Sequence, residues 1–145
     1  MPKDLYEFKI SPMQLKQVAF LDDNSDLREL IIEYFEFALK TKVLGLKNYH
    51  EMIQKLKEVL SSELVILDIE LGFEQPSGYE AYKTLMQNGF KGLIIFLTGH
   101  AGDHPLVRQA KSLNCVIWEK PITGQFMVSE IKKLIDQLKP SGAIK

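Results

Sequence analysis

Four short apolar runs in the chain each close on a polar residue able to do chemistry. Gln17-Val-Ala-Phe-Leu-Asp22 leads into the pair Asp22-Asp23, and Leu64-Val-Ile-Leu-Asp68 ends in a lone acid. Gly92-Leu-Ile-Ile-Phe-Leu-Thr98 ends in a hydroxyl and Cys115-Val-Ile-Trp-Glu-Lys120 in an amine. Two carboxylates ~4 Å apart repel by roughly 4 kcal/mol at an effective dielectric near 20, so three converging acids need a cation among them. An all-oxygen set with room for water and phosphate oxygens suits Mg2+ better than zinc. Lys120 brings a point charge, and Thr98 a hydroxyl donor, to whatever anion the site holds. Together they describe a phosphoryl site whose nucleophile is a carboxylate.

These residues meet only if the runs are strands of one sheet. A continuous apolar run ended by a polar residue reads as a strand buried on both faces that surfaces at its carboxyl end. Residues 41–46, with Val43 and Leu44, give a weaker fifth strand. Helical spacing fills the intervals. Leu27, Leu30, Ile31, Tyr34 and Ala38 form one stripe behind Asn24 or Ser25 as N-cap. Asn48 and Glu51 form a capping box ahead of Met52, Leu56, Val59 and Leu60. A third helix starts near Ser77-Gly78, and a fourth has Asp103 as cap, Pro105 in its first turn and Leu106, Val107, Ala110 and Leu113 facing inward. A fifth, after Thr123, carries Met127, Ile131, Leu134 and Leu138 to Lys139, where Pro140 stops it. Alternating strands and helices imply right-handed crossovers and a five-stranded parallel sheet with helices on both faces, the doubly wound α/β class. In such a sheet ligands lie at the carboxyl ends of the strands, where the strand order reverses.

The chain has 145 residues, 46% hydrophobic and 26% charged, which fits one domain with a sizeable core. We divide it into an N-terminal extension (1–16), the domain proper (17–139) and a C-terminal tail (140–145). Tyr6, Phe8 and Ile10 alternate in a strand-like way, but a loosely packed extension is the preferred reading. With 18 Lys+Arg against 19 Asp+Glu and no basic run, nucleic acid is not the expected partner. No apolar stretch approaches the ~18 residues of a membrane span, and no signal-peptide core follows Met1, so a cytoplasmic protein is expected. Cys115, the single cysteine, excludes an intramolecular disulfide and reads as an inert buried thiol. His50, His100 and His104 lack metal-ligand spacing on a shared element.

The pair in Phe20-Leu-Asp-Asp-Asn24, the acid in Val65-Ile-Leu-Asp68, the Thr98-Gly99 step and the Lys120-Pro121 step resemble, in order and spacing, the receiver domain of two-component response regulators. The resemblance covers about residues 15 to 139 and implies the CheY-like, flavodoxin-like (βα)5 fold. It implies that Asp68 accepts a phosphoryl group from a phosphohistidine on a sensor histidine kinase or a histidine phosphotransfer protein. Asp23 would bind Mg2+ directly, Asp22 through a water, and Asp68 and the backbone carbonyl of Glu70 would complete its protein ligands. Thr98 and Lys120 would hold phosphate oxygens. The protein would then be no enzyme beyond its own phosphorylation and dephosphorylation, a monomer or weak dimer that signals to an unknown downstream protein through its fourth helix, fifth strand and fifth helix. About six residues follow Lys139, so a stand-alone receiver is expected.

Some features depart from the family. Its aromatic switch position corresponds to Ile117, and Trp118, one place later, shares a strand face with Lys120 instead. The loop from Ile69 to Gly78 is about two residues longer than the common form. Glu70 and His100 stand where the family modulates phosphate lifetime. Singly, Asp22-Asp23 would serve as a helix cap, Thr98 as a turn residue and Lys120-Pro121 as a strand terminator; their coincidence favours a site. A phosphorylation-independent interaction module is the alternative. A haloacid dehalogenase-type hydrolase fits less well, because Asp22-Asp-Asn-Ser-Asp26 is not Asp-x-Asp-x-Thr, and no P-loop motif occurs.

Overall fold

A computed structural model describes residues 15–72, 75–99, 105–113 and 115–137. The five apolar runs form strands β1 (Gln17–Leu21), β2 (Lys42–Leu46), β3 (Leu64–Asp68), β4 (Leu93–Thr98) and β5 (Val116–Glu119). All neighbours pair in parallel, in the order β2-β1-β3-β4-β5, the flavodoxin-like sequence expected. The chain leaves β1 for β2 on one side and returns to β3 on the other, so the order reverses between β1 and β3. Asp22 and Asp68 lie at that reversal.

Alternation along the strands explains why they read as unbroken apolar runs. Ala19, Leu21, Val65, Leu67 and Phe96 face one layer, made by α2 (Tyr49–Gln54), α3 (Leu56–Leu60), α4 (Gly78–Gln87) and α5 (Pro105–Lys111). Val18, Phe20, Leu64, Ile66, Ile95 and Leu97 face the other, made by α1 (Ser25–Leu39) and α6 (Gly124–Gln137). Both faces are covered by helices, so neither has room for polar alternation.

The caps set where each helix begins. Asn24, not Ser25, caps α1 by accepting from Leu27 N at 3.1 Å. Asn48 accepts from Glu51 N at 2.8 Å, while Glu51 reaches past Asn48 to the amide of Lys47 at 2.7 Å. The expected single second helix is broken at Lys55 into α2 and α3, yet Met52 and Val59 remain fully buried. Ser77 caps α4, and Thr123 accepts from Phe126 N at 3.0 Å at the start of α6. Pro105 opens α5, and Val107 and Ala110 face inward as expected. The expected Asp103 cap, Leu138, Lys139, the stop at Pro140 and the alternation at Tyr6, Phe8 and Ile10 lie outside the described residues.

Gly78 is where α4 meets the carboxyl edge of the sheet. Its amide donates to the Ile69 carbonyl at 2.9 Å, and a Cβ there would collide with the backbone carbonyl of Asp68. Because the obstacle is backbone and not a flexible side chain, Gly78→Ala should destabilise the fold by about 2–3 kcal/mol. Equilibrium urea unfolding checks this, with a lowered midpoint at unchanged slope as the expected result.

Candidate functional site

Strand register brings the chemistry to one edge in steps. Leu21 pairs with Leu67, Asp68 with Leu97, and Thr98 with Glu119. Asp22 is therefore level with Asp68, Thr98 stands one residue beyond it, and Lys120 one beyond Thr98. The Lys120 amide donates to the Thr98 carbonyl at 2.7 Å, which ties the last step in place, and the Lys120–Pro121 bond is cis.

Asp22, Asp68 and Thr98 are buried, at 0%, 1% and 0% exposure, while Asp23 is exposed at the mouth. Asp22 is fixed through both its backbone and its side chain. Its amide donates to Leu46 O at 3.0 Å, its carbonyl accepts from Arg28 Nη1 at 2.7 Å, and its Oδ1 accepts from Asn24 N at 2.9 Å. Its Oδ2 lies 3.0 Å from Lys120 Nζ, an ion pair without hydrogen-bond alignment, so this buried oxygen has no hydrogen-bond partner among the described residues. Asp68 Oδ1 accepts from Glu70 N at 3.3 Å, and its Oδ2 lies 3.3 Å from the same Lys120 ammonium.

Each of Asp22, Asp23 and Asp68 offers a carboxylate oxygen within 4.8 Å of the other two. The set is all oxygen, two of its members are buried, and one buried oxygen lacks a hydrogen bond. These features fit a hard divalent cation such as Mg2+, which binds through one or two carboxylates and keeps positions open. Burial, then the Asp22 charge, pushes the Asp68 carboxyl up to about 8, although Lys120 works against both. Burial pulls Lys120 down, but the Asp68 and Asp22 carboxylates outweigh it and hold its ammonium above the ordinary value.

Thr98 reaches Glu70 at the end of the sheet. Its hydroxyl donates to Glu70 Oε2 at 3.0 Å, and the next amide, Gly99 N, donates to Glu70 Oε1 at 3.3 Å. The sequence pointed to the Glu70 carbonyl and to a position where the family modulates phosphate lifetime, but not to this side-chain contact. An acid two residues past a strand end has no periodic partner that would have announced it.

The remaining candidates separate by strand face. Ile117 is half-buried against the α2–α5 layer. Trp118, 5% exposed, packs in the α1/α6 layer with its ring edge-on to Phe126, the centroids 5.8 Å apart. Trp118 therefore does not stand in for a ring at position 117. His50 is an exposed residue of α2 with its ring edge-on to Tyr49. His100 lies outside the described residues. Cys115 corrects an expectation: it precedes β5 and is half-buried, not fully buried in a strand, and partial burial pushes its thiol up. No described helix is long and apolar enough to cross a membrane.

No curated protein matches the chain. Solved structures do. A CheY-like response regulator receiver domain protein from Methanospirillum hungatei JF-1 is 22% identical, with a TM-score of 0.71 over 86% of this chain and 96% of that one. The signal receiver domain of a putative Luxo repressor protein from Vibrio parahaemolyticus is 19% identical, with a TM-score of 0.71 over 91% and 98%. Chemotaxis protein CheY4 of Vibrio cholerae is 20% identical, with a TM-score of 0.68 over 83% and 98%. These likenesses establish the fold, and the family model for the response regulator receiver domain matches residues 18–132, most of the chain. With the strand order, the acid cluster at the sheet's reversal and this match in agreement, the chain belongs to the response regulator receiver domains of two-component systems.

Proposed function

We propose that Asp68 is the phosphoacceptor of a Mg2+-dependent transfer from a phosphohistidine on a sensor histidine kinase or phosphotransfer protein in the cytoplasm. The observation that carries this reading is the placement of Asp68, buried at the strand reversal between Asp22 and the Lys120 ammonium. In the transfer a carboxylate oxygen of Asp68 forms a bond to phosphorus as the phosphorus–nitrogen bond breaks. The electron pair of that bond leaves on the imidazole, and an acyl phosphate remains on Asp68. Mg2+, held by Asp23 and Asp68, by Asp22 through water and by the Glu70 carbonyl, would neutralise phosphate charge. Lys120 orients the acceptor and balances two buried carboxylates, so the chain's own contribution is alignment and charge. The reaction modifies the protein itself and turns over no separate substrate.

The phosphorylated state would be passed on by protein contact at α5, β5 and α6. A groove of about 520 Å3 lies there, its lining including Val107, Lys111, Glu119, Pro121, Ile122 and Phe126. Intact mass after incubation with acetyl phosphate tests the chemistry. One phosphoryl group gained only with Mg2+, and removed by hydroxylamine as an acyl phosphate would be, is the expected result. No gain in a folded protein, beside a working control regulator, would favour the phosphorylation-independent interaction module.

A further inference from the structure

β3 pairing continues one residue past Asp68, because Ile69 N donates to Leu97 O at 2.8 Å and the Ile69 side chain is fully buried. That anchors Glu70 at the mouth, with its amide on Asp68 Oδ1. Its side chain then turns toward the end of β4, where Oε2 accepts from the Thr98 hydroxyl at 3.0 Å and Oε1 from the Gly99 amide at 3.3 Å. A hydroxyl and a backbone amide side by side at a strand end form an anion-binding pair, and charge-assisted bonds to such a pair are about twice as strong as neutral ones.

We infer that the Glu70 carboxylate is a resident anion in the subsite formed by the Thr98 hydroxyl and the Gly99 amide, and that a phosphoryl group on Asp68 gains these donors only by displacing it. The inference rests on the acceptor role proposed for Asp68. Two anions cannot share the same two donors, so Glu70 acts as an internal competitor. It holds Thr98 in an anion-bound arrangement before any phosphate arrives, and it slows phosphate capture. Glu70 is a positioning residue in this scheme, because it acts through Thr98 and Gly99.

Two variants test it. Glu70→Gln keeps the shape and loses the charge, and Glu70→Ala removes the competitor altogether. With acetyl phosphate and saturating Mg2+, the initial rate of phosphoryl gain should rise roughly tenfold in Glu70→Ala, the loss of one charge-assisted contact, and less in Glu70→Gln. In the same proteins without Mg2+ or phosphodonor, the Gly99 amide resonance should move in both variants. Rates equal to the original protein, or a Gly99 amide that does not move, would overturn the inference. If none of the three proteins gains a phosphoryl group, the acceptor reading fails, and the Gly99 resonance alone then decides whether Glu70 occupies the subsite: movement supports it, and no movement overturns it.

Discussion

Asp68→Asn should abolish phosphoryl gain from acetyl phosphate, a fall on the order of a thousandfold or more, while leaving the fold intact. Three acids share the site, and geometry distinguishes them. Asp22 is held by Asn24 N at Oδ1 and faces Lys120 with Oδ2, beneath a carbonyl already bound by Arg28. Asp23 is exposed and follows the strand, where it suits a cation ligand better than a fixed nucleophile. Asp68 alone ends the central strand of the sheet, with one oxygen on the Glu70 amide and the other toward Lys120. An amide at this position keeps the shape but offers no anionic oxygen to phosphorus. Asp23→Asn, by contrast, should keep the acceptor and weaken Mg2+ binding, seen as a higher Mg2+ concentration for half-maximal gain. Full phosphorylation of Asp68→Asn would assign the acceptor to another residue, which peptide mass mapping would identify.

What was legible in the sequence follows from which physical constraints act on it. Strands buried on both faces must be continuously apolar, so a polar residue at the end of one stands out; Asp22, Asp68, Thr98 and Lys120 were each visible for that reason. The period of two along β5 likewise separates Ile117 from Trp118, and the two do face opposite layers. Elements whose shape depends on tertiary contact were less legible. The break at Lys55 interrupts a helix whose apolar stripe is uninterrupted, so spacing alone gave one helix where two short ones stand. Cys115 adjoined an apolar run and was assigned to the strand that begins at Val116. The side-chain contact of Glu70 was the least legible part of the site. Its carboxylate finds Thr98 across the sheet, a contact made by strand register and loop path and not by any local pattern.

Burial of an acid at such a site predicts a cost in stability that Asp68→Asn should relieve. The Asp68 carboxyl ionises near 8 in the folded protein and near its ordinary value of 3.8 when unfolded. Between those values the native state holds a proton that the unfolded state has released, so stability must fall as pH rises. The slope is at most about 1.4 kcal/mol per pH unit. Lys120, 3.3 Å away, opposes this shift and is already reflected in the value of about 8, so several kcal/mol of stability are lost across the range. Asn has no proton to lose, and Lys120 keeps its ion pair with Asp22 at 3.0 Å in that variant. Without divalent cations, Asp68→Asn should therefore melt roughly 6–12 °C above the original protein at about pH 8, and within a degree or two of it near about pH 4.5. Mg2+ at about pH 8 should raise the original protein far more than the variant, because it binds the ionised carboxylate that burial otherwise disfavours. Calorimetric melting curves across this range, with chelator and with Mg2+, check both. Parallel curves for the two proteins at every pH would mean that Asp68 ionises as easily folded as unfolded, and that Lys120 alone satisfies its charge.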